Sequence, residues 1–170
     1  MSDASDTRGA GGKSTVRLIP SRKGDELVVD VYVVSGGDGG GTQFTLGFDP
    51  ALLSISDVSG VDANPDVQRA DGAPDGTTLN VNAQQVTDGR LGLVANFARG
   101  GASLGTGVYR VASITFKIAD SKRGFDPGLA ITDDVVRRQT VDSLGNEIDA
   151  DYSVAVFLNG YVEGSVRKRF

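Results

Sequence analysis

Gln43-Phe44-Thr45-Leu46-Gly47-Phe48-Asp49-Pro50-Ala51-Leu52-Leu53 decides how this chain folds. Side chains of a strand alternate between its two faces, so Phe44, Leu46 and Phe48 share one face and Gln43, Thr45 and Gly47 the other. Pro50 has no amide hydrogen and cannot continue a central ladder, while Asp49 readily bonds nearby backbone in a turn. The stretch therefore reads as a half-buried strand that turns a corner into a second apolar run, Leu52-Leu53-Ser54-Ile55.

The same period extends in both directions. Upstream, Val16, Leu18 and Pro20 open a first strand, and Ser21-Arg22-Lys23-Gly24-Asp25 is a polar turn. Residues 26–34 follow as the strongest strand pattern, with Leu27, Val29, Val31 and Val33 on one face and a high β-branched content. Residues 35–41, five of them glycine, read as a flexible loop. Downstream, 52–58 reads as a strand and 60–76, with Pro65, Pro74 and many Asp, as a long irregular excursion. Residues 77–85 alternate through Leu79, Val81 and Ala83, and Asp88-Gly89 signals a tight hairpin. Residues 90–98 then place Leu91, Leu93, Ala95 and Phe97 on one side. After a loop at 100–107, Val108, Arg110, Ala112, Ile114, Phe116 and Ile118 alternate, with the arginine expected at the strand's exposed edge. Residues 129–136 form a weaker apolar stretch, 143–147 a turn and 152–162 a closing strand. No segment keeps a helical period for more than a turn or two. Many short strands divided by Gly and Asp turns predict an all-β chain, a two-sheet sandwich or a barrel.

Composition narrows the function. At 170 residues with 39% hydrophobic content, the chain has enough apolar surface for one core without disulfides or metals. The predicted organisation is a flexible Ser/Asp/Gly-rich arm over 1–13, one β-domain over 14–163 and a basic tail over 164–170. A net charge of −5 with few aromatics argues against a nucleic-acid partner. The basic cluster Arg167-Lys168-Arg169, with Phe170, is either a solvated tail or a contact to an acidic neighbour. No apolar run of about 18 residues exists, so nothing is predicted to span a membrane as a helix. The first 13 residues lack the apolar centre of a signal peptide, so the chain is expected to be cytosolic or the mature or excised part of an exported protein.

The chain has no His and no Cys. The commonest general base, the commonest zinc and copper ligand and any thiol chemistry are therefore missing, and no enzyme activity is expected. Asp62, Asn64 and Asp66 alternate as the first ligands of a calcium loop do, and they form a calcium candidate. The rest of an EF-hand loop fails there, because Val67 and Ala73 stand where Gly and a bidentate Glu are needed. A solvated acidic loop is the competing reading. The glycines at 36–41 lack the Gly-Lys-Ser/Thr ending of a phosphate cradle. Asp133 and Asp134 are adjacent and would point to opposite faces of a strand, which does not suit paired-carboxylate glycoside hydrolysis. Without Trp, an aromatic platform for sugars would have to come from Tyr32, Tyr109 or Tyr161.

Several pieces, in order, resemble cohesin modules. They are Val16-Arg17-Leu18-Ile19-Pro20, Gly24-Asp25-Glu26-Leu27-Val28-Val29-Asp30-Val31, the Phe48-Asp49-Pro50 corner, Asp88-Gly89-Arg90-Leu91-Gly92-Leu93-Val94, Gly105-Thr106-Gly107, Ile114-Thr115-Phe116-Lys117, Val141-Asp142-Ser143-Leu144-Gly145-Asn146-Glu147-Ile148 and Asn159-Gly160-Tyr161-Val162. The resemblance covers about residues 14–163 and is nearer to the dispersed, non-cellulosomal modules. It implies a two-sheet β-sandwich with jelly-roll topology and a non-catalytic module that binds a protein partner through one sheet face. That partner would be a dockerin-like module or other subunits of an exported or cell-surface assembly, bound without a cofactor. The positions carried over to the binding face are Gln43, Thr45, Val94, Asn96 and Arg99. Gln43, Asn96 and Arg99 stand where dockerin binders usually carry acidic or other strong polar or apolar residues, which turns the face against the usual partner. The same five residues also suit the solvated side of a sheet. A structural subunit using its terminal arms and a carbohydrate-binding module are the alternatives.

Overall fold

The computed structural model describes residues 13–56, 66–97, 103–119 and 126–155. Twelve strands form two six-stranded sheets packed face to face. The first sheet contains β1 (Ser14–Lys23), β2 (Glu26–Ser35), β4 (Leu53–Ser54), β5 (Val67–Arg69), β8 (Gly107–Ile118) and β12 (Ala150–Val154), in the order β12-β1-β2-β8-β4, with β5 also on β8. The second contains β3 (Gly39–Gly47), β6 (Thr78–Asn82), β7 (Arg90–Asn96), β9 (Ala130–Thr132), β10 (Gln139–Asp142) and β11 (Glu147–Ile148), in the order β11-β10-β3-β7-β6, with β9 also on β3. All pairs are antiparallel except β1 with β12. The result is an all-β sandwich of jelly-roll type.

The predicted apolar faces close on each other. Val16 and Leu18 of β1, Leu27, Val29, Val31 and Val33 of β2, and Ile114, Phe116 and Ile118 of β8 meet Phe44 and Leu46 of β3 and Leu91, Leu93 and Ala95 of β7. Phe48 and Phe116 cross the interface with ring centroids 4.8 Å apart and planes tilted by 53°, a geometry that suits the ring quadrupoles. Pro20 sits inside β1 at no cost to the ladder with β2. Leu18 accepts from Ala155 N and Ser14 donates to Asp149 O, so even-numbered residues of β1 turn their backbone toward the β12 side. The missing amide of Pro20 therefore falls on that side.

The corner behaves as its residues dictate. Asp49 Oδ1 accepts from Ala51 N at 2.9 Å, and Asp49 O accepts from Leu52 and Leu53 N. Phe48 N bonds Gly89 O at 2.9 Å, and Gly89 holds φ +84°, where a Cβ would collide with Phe48 O.

Several expectations are corrected. Residues 39–41 are strand, since all three glycines are buried in β3 and Gly39 bridges Leu104. Glycine is needed there because a Cβ on Gly40 would overlap Asp142 O and one on Gly41 would lie 2.9 Å from Ala95 O. The excursion after residue 60 contains β5, whose Val67 is fully buried against β8. The strand read over 52–58 is only two residues long where it is described. The β6–β7 connection is a short 3-10 turn, Val86–Asp88, closed by Gly89, in place of a two-residue hairpin. In β8 a bulge against Val31 and Tyr32 makes Val111 an extra residue. The bulge turns Tyr109 and Val111 inward and leaves Val108 67% exposed, so the alternation holds from Ala112 to Ile118 but is out of phase by one over Val108–Arg110. Arg110 lies within the sheet and pairs with Asp30 at 3.4 Å, away from any edge.

Candidate functional site

The outer face of the second sheet is ordered by its register into cross-strand rows. One runs Gln139, Gln43, Val94, Asn80, and the next Val141, Gly41, Asn96, Thr78. A third runs Thr132, Thr45, Gly92, Asn82. The first two rows are open. They floor a groove of about 270 Å³, bounded at one end by Asp142, Ser143 and Gly145. Gly41 lies between Val141 and Asn96 with no side chain to fill the groove there, and a Cβ on it would lie 2.9 Å from Ala95 O.

The third row is covered by the chain itself. Strands β9 and β10 both pair with β3, and residues 133–138 between them fold over the sheet as a strap. Thr45 is fully buried beneath it. Its hydroxyl donates to Val136 O at 2.8 Å and accepts from Val135 N at 3.0 Å and Val136 N at 2.7 Å, which uses its donor and both acceptor sites. Gly92 gives the strap room, since a Cβ there would lie 2.7 Å from Val136 Cγ2 and 3.1 Å from Val135 Cγ1. Asp133 closes the strap's base by accepting from Arg138 N at 2.8 Å, Nε at 3.0 Å and Nη2 at 3.2 Å. The Arg138 guanidinium and then its amide hold the Asp133 carboxyl below the ordinary carboxylate range. Asp134 pairs with Arg90 at 3.0 Å. The two adjacent carboxylates thus fasten the strap.

The predicted contact residues therefore part company. Gln43 is half-buried at the strap's margin, where its Nε2 donates to Arg137 O at 2.9 Å. Val94 and Asn96 line the open groove, Asn96 exposed and Val94 half-buried. Thr45, expected among the partner contacts, points outward from the sheet as read but is fully buried beneath the strap, which removes it from a partner's reach. Arg99, the tail residues Arg167, Lys168, Arg169 and Phe170, and Asp62 and Asn64 of the calcium candidate lie outside the described residues. Asp66 is described, and its Oδ2 accepts from Ser56 N at 3.0 Å and Ser56 Oγ at 2.9 Å, tying β5's start to the chain after β4. No group of three His, Cys, Asp or Glu is placed to hold a metal among the described residues.

Sequence reasoning missed Gln139, Val141 and the turn at 142–146, which complete the groove. Asp142 shapes that turn: its Oδ1 accepts from Leu144 N and Asn146 N, both at 2.9 Å, and its Oδ2 from Asn146 Nδ2 at 3.3 Å. The Asp-Ser-Leu-Gly-Asn spacing was a readable turn signal, but nothing in it indicated which face it would border. Behind the groove, Thr42, Thr140 and Tyr152 form a hydroxyl chain across the two sheets, at 3.0 Å and 2.7 Å. Arg138 lies over the Tyr152 ring at 5.9 Å. Asp142 is the one ionisable group lining the groove, and its carboxylate is engaged in its own turn. What the groove offers is side-chain amides, a floor left low by glycine and two valines. That equipment suits recognition by hydrogen bonding and shape; it contains no acid–base pair.

Solved structures similar to this chain include three cohesins. The sixth cohesin of scaffoldin B from Acetivibrio cellulolyticus, solved in complex with a Cel5 dockerin variant, has 16% identity and a TM-score of 0.60, covering 84% of this chain and 99% of that one. The seventh scaffoldin B type I cohesin from Pseudobacteroides cellulosolvens has 18% identity and a TM-score of 0.57, covering 85% and 93%. A non-cellulosomal cohesin from the hyperthermophilic archaeon Archaeoglobus fulgidus has 11% identity and a TM-score of 0.56, covering 93% and 98%. No family model and no curated protein matches the sequence. The likeness spans nearly the whole of both partners in each case, and the fold of this chain is that of a cohesin-like β-sandwich module.

Proposed function

We propose that this chain is a non-catalytic protein–protein interaction module that receives its partner in the open groove of the second sheet. The observation that carries this reading is the split of one sheet face. The chain spends a strap, a buried threonine and a glycine to cover the Thr45–Gly92 row, yet leaves the Gln43–Val94 and Gly41–Asn96 rows bare. The groove is lined by Gln43, Asn96 and Gln139 and has no free charge of its own. Its partner is a protein surface presenting hydroxyls, amides or backbone, either a dockerin-like module or another subunit of an assembly. Such contacts position a partner by hydrogen-bond geometry, with apolar burial at Val94 and Val141 supplying affinity. The carbohydrate alternative is disfavoured by the absence of any aromatic side chain among the groove's lining residues.

One feature supports an exported or cell-surface setting: the similar solved structures include a scaffoldin module. No helix among the described residues is long and apolar enough to cross a membrane. The test is capture from the native envelope fraction by three immobilised proteins: wild type, Val94→Arg and Val108→Arg. Val108 is exposed on the opposite sheet and serves as the control. A partner held by wild type and Val108→Arg but lost by Val94→Arg supports the groove. Equal capture by all three overturns it.

A further inference from the structure

Strand β6 is an edge strand of the second sheet among the described residues, and its backbone shows which groups that edge presents. Phe97 N bonds Gly40 O, so odd-numbered residues of β7 turn their backbone toward β3 and even-numbered ones toward β6. Thr78, Asn80 and Asn82 pair with Asn96, Val94 and Gly92, and so they face inward to β7. Leu79 and Val81 must then turn their N–H and C=O groups outward. The ends of the edge are already closed. Thr77 O accepts from Arg69 Nη1 at 3.0 Å, and Ala83 O accepts from Val86 N at 3.2 Å. The four backbone groups of Leu79 and Val81 have no partner among the described residues.

Exposed edges are normally blunted by charge, proline, bulges or shortness. The other edges follow that rule: β4 and β11 have two residues each, β5 has three and ends in Arg69, and β12 carries Asp151, paired with Lys13. From Gly76 to Thr87 there is no charge and no proline, in a chain with net charge −5. β6 is regular, with no bulge against β7.

We propose that β6 pairs antiparallel with β6 of a second copy of this chain, about a two-fold axis at Asn80. The sequence Thr78-Leu79-Asn80-Val81-Asn82 is self-complementary in that register. Leu79 stands opposite Val81 of the second copy and Val81 opposite its Leu79, so every free backbone group of both edges enters one of four new hydrogen bonds. Asn80 meets Asn80 of the second copy on the outer face, amide to amide, and Thr78 meets Asn82. On the inner face Leu79, 8% exposed, and half-buried Val81 continue the seam of the core. A closed two-fold contact of this kind stops at two copies and abolishes the edge. The joined sheet would carry two grooves side by side, which raises avidity for a repeated partner.

Sedimentation velocity on the full chain over a concentration series tests this, together with amide hydrogen exchange. The wild type is expected to form a dimer in which the Leu79 and Val81 amides are protected. Asn80→Lys sets two lysines across the axis and should weaken the dimer at least about tenfold. Val81→Pro removes one edge donor that the monomer does not use, and it should do the same with the circular dichroism unchanged. A chain that stays monomeric up to millimolar concentration overturns the proposal. So does a dimer that Asn80→Lys leaves intact.

Discussion

Thr45 and Gln43 are two residues apart on one strand and point the same way, yet one is sealed and the other borders an open groove. The sealed half of the face has its polar atoms saturated from within the chain: the Thr45 hydroxyl holds two strap amides and one carbonyl. The open half keeps Asn96 exposed and Val94 half-buried. Alternation in a strand fixes which side of a sheet a residue points to. It does not fix whether that side is wet. Here the difference comes from six residues inserted between β9 and β10, far from Thr45 in sequence.

The largest expected effect of breaking this contrast is at Thr45. Thr45→Ala leaves the amides of half-buried Val135 and Val136 without their acceptor and should cost about 2 kcal/mol in urea unfolding. Thr45→Ser keeps the hydroxyl and should recover most of that loss. Gly92→Ala comes next. Its methyl would press on the two strap valines and should cost about 1–2 kcal/mol, with faster exchange confined to residues 133–138.

Acid should loosen the strap in a defined direction. The folded-state pKa of Asp133 is depressed, so its contribution is complete above the unfolded carboxylate value of about 3.9 and is lost as pH falls through the lower folded value. Exchange at Val135 and Val136, extrapolated to a common intrinsic rate, should rise in that acid window. Asp133→Asn should give the loosened rates at every pH. An Asp133→Asn protein that still tightens between strong acid and neutrality would assign the effect to another group. The smallest effect on stability is on the open half: Val94→Arg should change unfolding by less than about 0.5 kcal/mol, as surface substitutions do, while abolishing partner capture.

The fold was legible because its period was redundant. Leu27 to Val33, Phe44 to Phe48 and Leu91 to Phe97 each repeat the two-residue alternation, and all of them are buried as read. The corner was legible because Asp49 and Pro50 have few other uses in that order. The glycines of β3 misled for the opposite reason. A Gly-rich run signals freedom when read locally, but Gly40 and Gly41 are small because Asp142 and Ala95 backbone crowd them. The bulge at Val111 was invisible because valine fits either phase. The open groove was half legible. Val94 and Asn96, carried over from the cohesin resemblance, line it, whereas Thr45 was lost to a strap whose Asp-Asp-Val-Val-Arg-Arg sequence reads as a weak strand. Its role depends on the bidentate Asp133–Arg138 closure, a contact that requires the turn to exist first.

The most direct test of the account is amide chemical-shift mapping of the isotope-labelled chain against the partner recovered from the envelope fraction. Shifts centred on Gln43, Val94, Asn96, Gln139 and Val141, with Val135 and Val136 unmoved, are the predicted result. Shifts centred on the strap, or on Val34 and Val108 of the opposite sheet, would contradict it.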